Sequence, residues 1–209
     1  MVSLPHPTSD TASAALAVSA SKNAGYFELT LLDDLAEGLP AGSQDKLMQA
    51  LAWADQRYAG ALLESGELVL DHAVGMARIA AVLGLDIDAR LAALLSGAPT
   101  HGLGEDETAG QWHKAIIDIF GPAVVQLVDG MHRLNRLRLL PTVRNTPAED
   151  AQVQAEVMRK MLLAMVEDIR VVLLRLASRD QTLRYMTAHP GPIREQLAHE
   201  SLEIFAPLA

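Results

Sequence analysis

Apolar residues recur every three or four positions along most of this 209-residue chain, and that periodicity restricts the fold more than any other feature. The longest periodic stretch runs from Glu149 to Ala177 and traces one apolar helix face. That face consists of Val157, Met161, Leu162, Met165, Ile169, Val172, Leu173 and Leu176. The stretch is either one helix or two with a break at Glu167-Asp168. No segment shows the alternation of a half-buried strand, so the sequence predicts an all-α fold.

Turn residues and helix caps divide the rest of the chain. Pro40 to Gly42 and Ser65 to Glu67 are predicted turns, and Ser43 and Asp88 are predicted caps of the helices that follow them. The further predicted helices are a segment from Ser43 to Ala61, then Val74–Leu83, Asp88–Leu95, Glu107–Ile119, Pro122–Arg138, Arg179–Thr187 and Ile193–Glu203.

The two ends of the chain differ from its middle. Residues 1–42 hold Ser, Thr, Ala, Gly and Pro in irregular order, which predicts a partly ordered segment with one short helix around Glu28 to Leu35. Residues 43–209 are predicted to form the folded domain. The last residues, Ile204 to Ala209, are largely apolar and carry no polar tail. Because exposed apolar ends are a liability, we expect the chain to have been cut from a longer protein.

The composition excludes several classes of function. Half the residues are hydrophobic but only 4% are aromatic, so the core must be aliphatic. The absence of cysteine excludes disulfides, thiolate metal sites and a cysteine nucleophile. No secretory leader and no apolar run of roughly 20 residues is visible, which predicts a cytoplasmic protein without membrane spans. The net charge of -9 gives no electrostatic footprint for direct binding of nucleic acid.

Few residues, taken alone, indicate a particular catalytic or binding function. There is no phosphate-binding glycine loop, nucleophile elbow or histidine-based zinc motif, and none of the seven histidines pairs with another at helical spacing. His72, read alone, is more often a packing residue than a ligand. The acidic run from Glu105 to Glu107 precedes a predicted helix, where carboxylates complement the helix dipole. Met158, Met161 and Met165 are predicted core, and Arg133, Arg136, Arg138 and Arg144 with His132 are either a solvated helix end or an anion patch.

Several segments, in order, resemble the amino-terminal hydrolase domain of the RelA/SpoT family of stringent factors. The segment from Arg159 to Ala177 is similar to the long core helices of that domain. The shorter signatures are Ser65-Gly66-Glu67, Ala92-Ala93-Leu94-Leu95, Phe120-Gly121 and Leu127-Val128-Asp129-Gly130, and Leu202 to Ala209 resembles the segment leading to the pyrophosphokinase domain. The resemblance covers residues 43–209 and implies a multi-helix bundle of the HD-domain type, cut before the synthetase domain.

Active members of that family are metal-dependent hydrolases that remove the 3'-pyrophosphate of (p)ppGpp, and the resemblance implies where their ligands should lie. His72 matches the first metal-binding histidine. The family's His-Asp pair falls at Ser96-Gly97, and its last aspartate ligand falls at Ser178. The catalytic Glu-Asp pair falls near Thr100-His101. A single histidine cannot hold a divalent ion, so we expect no metal and no catalytic residue in this domain.

The family's nucleotide-binding positions are also changed. An arginine and a lysine just before the Ser65 turn are replaced by Leu63 and Glu64, and an asparagine is replaced by Thr182. Glu64 places a negative charge where a highly anionic nucleotide should bind. These three positions, like the four metal positions, are therefore expected to be vestigial.

This pattern resembles the synthetase-only RelA branch and implies a non-catalytic, structural or regulatory domain of a GTP pyrophosphokinase. Its expected partners are its own downstream synthetase domain and, through absent carboxy-terminal domains, the ribosome and uncharged tRNA. No cofactor is expected in this domain, whereas Mg²⁺ is expected for the absent synthetase domain.

Two alternatives remain open. One is a guanine-nucleotide sensor that binds without hydrolysis through cationic side chains. Those side chains are Arg133, Arg136, Arg138, Arg179 and Arg184. The other is an active hydrolase with a rebuilt metal site. That site would draw on His72, His101, Asp71, Glu105 and Asp106.

Overall fold

The computed structural model describes residues 30–58, 60–101, 111–137, 168–191 and 194–202, and within them the chain is helical. After helical residues 30–36, the helices are α1 (Ser43–Tyr58), α2 (Val69–Val82), α3 (Ile87–Leu94), α4 (Ala98–His101), α5 (Gln111–Phe120), α6 (Pro122–Leu137), α7 (Ile169–Ala188) and α8 (Arg194–Glu200). The only extended pairing in this part of the chain is an isolated bridge between Leu62 and Leu68. The all-α prediction is confirmed.

Helix α3 lies at the centre of the bundle and touches α1, α2, α6 and α7. Its residues from Ala89 to Leu94 are all buried, because this short helix is apolar around most of its circumference. Helix α2 packs on both α3 and α7, and α7 also packs on α6. The core is mainly aliphatic, as the composition predicts. The interface between α2 and α7 is the part of this bundle that carries the candidate site.

The core extends upstream of residue 43. Leu32 and Leu35, on the helical residues 30–36, are buried in the same apolar cluster as the bundle. Arg90 of α3, which is 1% exposed, ties this segment down: its Nη1 donates to the carbonyls of Leu35 at 2.8 Å and Glu37 at 2.7 Å. Residues 30–39 therefore belong structurally to the bundle, in a range for which the sequence predicted a partly ordered segment with one short helix around Glu28 to Leu35.

The predicted caps of two helices are wrong in detail. Asp86, not Asp88, caps α3, since its Oδ1 accepts a hydrogen bond from the Ala89 amide at 3.0 Å. Ser43 is the first residue of α1, and its hydroxyl donates to the Pro40 carbonyl at 2.8 Å instead of accepting from an amide. The error at α3 arose because two aspartates stand near the helix start, and spacing alone does not say which one turns towards the amides.

Two helix boundaries also differ from the prediction. Helix α2 begins at Val69, five residues before Val74, so His72 lies in its first turn. Asp168 is the N-cap of α7, which agrees with the alternative of a break at Glu167-Asp168. Beyond it, α7 continues through Ser178 without the predicted interruption and ends at Ala188. No residue near Ser178 breaks helices, and contacts on its inward face keep the helix continuous.

Several predicted features lie outside the described residues. They are the acidic run Glu105 to Glu107, Arg138 and Arg144, the segment from Glu149 to Glu167 with Met158, Met161 and Met165, the side chains of His101 and Arg136, and Ile204 to Ala209. Among the helices that are described, none is long and apolar enough to cross a membrane.

Candidate functional site

The predicted turn at Ser65-Gly66-Glu67 carries a buried carboxylate into the bundle. The turn is closed by hydrogen bonds from the Gly66 amide to the Leu63 carbonyl and from the Leu63 amide to the Glu67 carbonyl, both 2.9 Å. Gly66 has φ +83°, a left-handed conformation that an L side chain rarely adopts. The tight reversal directs Glu67 inward, where it is 1% exposed. The signature therefore has a local structural role, which is to place a carboxylate next to α2.

His72 joins that carboxylate to the opposite helix. Its Nδ1 lies 2.8 Å from Glu67 Oε2, and its Nε2 lies 2.9 Å from Ser178 Oγ on α7. A carboxylate accepts hydrogen bonds and cannot donate, so the Nδ1 atom carries the proton. In a neutral imidazole the Nε2 lone pair is then free to accept from the Ser178 hydroxyl. Of the four predicted metal positions, the structure brings His72 and Ser178 into direct contact.

Gln181, one turn after Ser178 on α7, completes this cluster. Its Nε2 donates to Glu67 Oε1 at 2.6 Å, so both oxygens of the buried carboxylate have a partner. Gln181 lies over Gly75 of α2, where an added Cβ would stand 2.2 Å from Gln181 Cδ. One turn further, the Tyr185 hydroxyl donates to the Gly66 carbonyl at 3.0 Å. Helix α7 thus covers the turn along three successive helical turns.

The predicted positions Ser96 and Gly97 lie apart from this cluster. The Ser96 hydroxyl points at Met76 Sδ, 3.7 Å away, a weak contact. Beside Gly97 the space is filled, because a Cβ there would stand 2.7 Å from Val69 Cγ1 and 3.0 Å from Tyr58 Cζ. Tyr58 is 1% exposed, its hydroxyl donates to the Leu94 carbonyl at 3.1 Å, and burial raises its pKa. A ring and a methyl group therefore occupy the place that a side chain at residue 97 would need.

The three predicted nucleotide positions differ in exposure and in hydrogen bonding. The Thr182 hydroxyl donates to the Ser178 carbonyl of its own helix at 3.0 Å. Leu63 is half-buried and packs against the core, while Glu64 is exposed. Among the contacts of the described residues, none joins Thr182 to Leu63 or Glu64.

Three of the cationic side chains proposed for a nucleotide sensor are described by the structure, and two of them, Arg179 and Arg184, contact other residues of the domain. Arg179 is 5% exposed, and it donates to the Leu197 carbonyl at 2.8 Å and to Ser201 Oγ at 2.7 Å, which holds α8 against α7. Arg184 is exposed and paired with Asp180, one turn away on the same helix, at 2.8 Å. Arg133 is exposed. The buried Arg179 therefore has a structural role, in which it joins α7 to α8 by hydrogen bonds.

The donor atoms present do not fit a divalent metal ion. The four positions supply one imidazole, two serine hydroxyls and a glycine without a side chain, whereas protein sites for such ions converge three or more anionic or imidazole ligands. Asp71 beside His72 is exposed. Within the described residues, no group of three or more histidine or acidic side chains is arranged to hold a metal.

Sequence reasoning missed Glu67 and Gln181 as members of the site. Glu67 was noted only as part of a turn, since its position five residues before His72 matches no helical spacing. Gln181 was not noted at all, because a polar residue in a helix usually faces solvent. A usable signal was Gly75, which lies inside α2 although glycine costs about 1 kcal/mol relative to alanine in a helix. Such a glycine indicates a close neighbour.

Comparison with known proteins places the chain in a family. Residues 50–209 match the model of the HD domain family, and the chain therefore belongs to that family. Within it, its curated relatives are proteins of the RelA/SpoT type, which confirms the resemblance drawn from the sequence. The bifunctional (p)ppGpp synthase/hydrolase SpoT of Escherichia coli K12 is 35% identical over 171 residues, which is 82% of this chain and 22% of that protein. A probable GTP pyrophosphokinase of Mycobacterium leprae is 35% identical over 173 residues, 83% of this chain and 20% of that protein.

A solved structure of a metazoan ortholog of SpoT that hydrolyses ppGpp has the same fold. It superposes with a TM-score of 0.51 at 18% identity, covering 81% of this chain and 86% of that one. The predicted HD-type helix bundle is thereby confirmed. The chain spans about a fifth of the length of the curated relatives named above.

Proposed function

We propose that this chain is a hydrolase-like domain that does not hydrolyse (p)ppGpp and that acts as a structural or regulatory part of a RelA-type GTP pyrophosphokinase. In such a protein a downstream domain transfers pyrophosphate from ATP to GTP with Mg²⁺. The relatives named as a GTP pyrophosphokinase and as a bifunctional synthase/hydrolase support the family context but differ in activity. The choice between those activities rests on the residues at the metal positions.

The observation that carries the proposal is the packing at Gly97. Loss of a ligand by substitution alone leaves a cavity that a single reverse change can refill. At Gly97 there is no cavity, because Val69 and Tyr58 fill the space in which a ligand would stand. At the opposite position, Ser178 offers His72 a hydroxyl in place of a carboxylate. These contacts stabilise the interior without a metal, whereas an active hydrolase of this class requires one.

The alternative of a rebuilt metal site has less support. Of the side chains it would use, Asp71 is exposed, and His72 is already hydrogen-bonded through both ring nitrogens. The sensor alternative has less support because Arg179, one of its cationic side chains, is hydrogen-bonded to Ser201 and Leu197 within the domain. Titration calorimetry of the purified domain with ppGpp, GTP and ATP tests the sensor directly, and we expect no saturable heat.

The central test is metal analysis and (p)ppGpp turnover on one preparation incubated with Mn²⁺ and then freed of excess ion. We expect less than stoichiometric metal and no pyrophosphate release above a buffer blank. The hydrolase domain of Escherichia coli SpoT, handled identically, is the positive control for the assay. Bound metal at one equivalent together with pyrophosphate release would overturn the proposal.

For the intact parent, we propose that the partner of this domain is its own synthetase domain, and that ribosome and uncharged tRNA are contacted through further carboxy-terminal domains. A cytoplasmic location follows from that role. Removing residues 1–209 from the intact protein should change the regulation of (p)ppGpp synthesis and leave the chemistry of synthesis in place. Unchanged regulation by starvation in such a truncation would contradict the regulatory part.

A further inference from the structure

Glu67, His72 and Ser178 form a linear relay of carboxylate, imidazole and hydroxyl in the interface between α2 and α7. The two links measure 2.8 Å and 2.9 Å and use opposite nitrogens of the same ring. This is the order and spacing by which a carboxylate orients a histidine that in turn activates a serine. We propose that Ser178 is a histidine-activated nucleophile able to attack small carboxylic esters, an activity distinct from hydrolysis of (p)ppGpp.

The carboxylate end of the relay is rigid. Glu67 is 1% exposed, and Gln181 holds its second oxygen at 2.6 Å, so the carboxylate cannot rotate away from His72. His72 is 7% exposed and lies in the first turn of a helix, which restricts its ring. The proton on Nδ1 is fixed by Glu67, and the Nε2 lone pair is therefore directed at the serine. A carboxylate that is held in place in this way can orient the histidine, whereas a transient contact cannot.

The hydroxyl end is less buried and has a cation beside it. Ser178 is half-buried, whereas the other two members are buried. Arg175 Nη1 lies 3.3 Å from Ser178 Oγ and donates to it. The amide of Ser178 lies within the unbroken helix α7, so it is committed to the helical ladder and cannot stabilise an oxyanion. The guanidinium of Arg175 is the donor placed for that task, which predicts a slow reaction compared with a dedicated esterase.

The step balances within these residues and one water molecule. Ser178 Oγ forms a bond to the ester carbonyl carbon while its proton passes to His72 Nε2. The carbon–oxygen bond to the alcohol then breaks, and the departing alcohol takes that proton. Water attacks the acyl-serine next, its proton moves to His72 Nε2 and on to Ser178 Oγ, and the carboxylic acid leaves. The half-buried position of Ser178 restricts substrates to small acyl groups.

The inference rests on the proposed absence of a metal, because an ion on His72 Nε2 would exclude the contact with Ser178. It is tested with a fluorophosphonate probe, from which a nucleophilic serine displaces fluoride. After labelling, peptide mass spectrometry identifies the modified residue. Ser96 is the internal control, because the hydroxyl of this serine of the same domain faces Met76 Sδ. Metal content is measured on the same sample. Bound metal would contradict the proposed function, whereas metal-free protein without label on Ser178 would contradict the relay.

We expect Ser178 to be labelled in the native domain and not in urea, and Ser96 to remain unlabelled. The substitution His72→Gln should lower the labelling rate about a hundredfold, within the range of general-base catalysis. Glu67→Gln should lower it as well, and Ser96→Ala should not change it. If His72→Gln proves unfolded by circular dichroism, Arg175→Met takes its place, since it leaves the buried pair intact and should slow labelling about tenfold. Absence of label on Ser178 in metal-free folded protein, or labelling that these substitutions leave unchanged, would overturn the inference.

Discussion

Gly97 packs so closely against Tyr58 that a Cβ on the glycine would stand 3.0 Å from Tyr58 Cζ. The tyrosine is held in place by the same stretch of chain, where its hydroxyl donates to the Leu94 carbonyl at 3.1 Å. Val69 closes the remaining space at 2.7 Å. Three elements that are distant in sequence therefore meet at the position where the family resemblance expects an aspartate.

Gly97→Ala should destabilise the domain by about 1 to 3 kcal/mol, the usual result of forcing a methyl group into a filled core. Gly97→Asp should cost more, because it also buries a carboxylate without a partner. Urea denaturation followed by circular dichroism measures both. Ser96→Ala is the matched control and should change the free energy of unfolding by less than about 1 kcal/mol, since only a weak sulfur contact is lost. An unaltered midpoint for Gly97→Ala would show that the packing around Gly97 is looser than described.

Gly75 and Gln181 should show a reversal of sign in a double-mutant cycle. In the native domain, Gly75→Ala pushes Gln181 away from Glu67 and leaves a buried carboxylate oxygen without its partner, a loss of about 1 to 3 kcal/mol. With Gln181→Ala already in place the obstruction is gone, and Gly75→Ala should stabilise helix α2 by up to about 1 kcal/mol. Chemical denaturation of the four proteins measures the coupling. Additive effects would contradict the contact.

Asp168 should make a contribution to stability that depends on pH. The Arg170 guanidinium donates to both of its oxygens, the Arg170 amide donates to Oδ1 at 2.9 Å, and these hydrogen bonds lower the pKa of Asp168 against the opposing effect of burial. Because the folded pKa lies below the unfolded one, the contribution is complete above about pH 4 and is lost as the pH falls through the folded pKa.

Asp168→Ala should therefore destabilise the domain by about 1 to 2 kcal/mol at pH 7, as removal of a helix N-cap does. Asp168→Asn keeps an oxygen that can cap α7 and should cost less than about 1 kcal/mol. Thermal melts at pH 7 and at successively lower pH separate the two contributions. The difference between wild type and Asp168→Asn should shrink in acid, and a constant difference would contradict the assigned pKa direction.

Arg90 should be required for residues 30–39 to stay on the bundle. Arg90→Met removes a guanidinium that satisfies the buried carbonyls of Leu35 and Glu37, and should cost about 3 kcal/mol or more. Hydrogen exchange should rise first in residues 30–39. Arg90→Lys keeps the charge but offers donors in a different geometry, so it should rescue only part of the loss. Equal exchange in residues 30–39 of the wild type and Arg90→Met would contradict this role.

The fold could be predicted from sequence because helical periodicity is a local property. The apolar spacing located α1, α3 and α6 closely, whereas the continuous apolar face from Glu149 to Ala177 did not decide whether the chain breaks at Glu167-Asp168. The contacts of the site were not visible, because they join residues far apart. His72 and Ser178 are 106 positions apart, and only packing reveals that they touch.

The family resemblance located the altered positions but not what had replaced their function. It identified Gly97 as the position of a missing ligand, yet it gave no reason to look at Tyr58, which lies on α1 and belongs to no signature. Likewise, the resemblance identified Ser178 only as the position of a missing aspartate, whereas in the fold Ser178 is a hydrogen-bond partner of His72. Direct contacts of this kind depend on the distances between side chains, and a sequence does not contain them.

If the domain is the proposed pseudo-hydrolase, the filled space beside Gly97 also makes the loss of its metal site difficult to reverse through evolution. A lineage that regained an acidic residue there one substitution at a time would pass through a protein with a clash and an uncompensated carboxylate. Because natural domains lie only a few kcal/mol above the point at which they unfold, that intermediate would be removed by selection. On that proposal, Tyr58 and Val69 would oppose the return of a ligand at residue 97, and further substitutions would more easily build new contacts than restore a metal site.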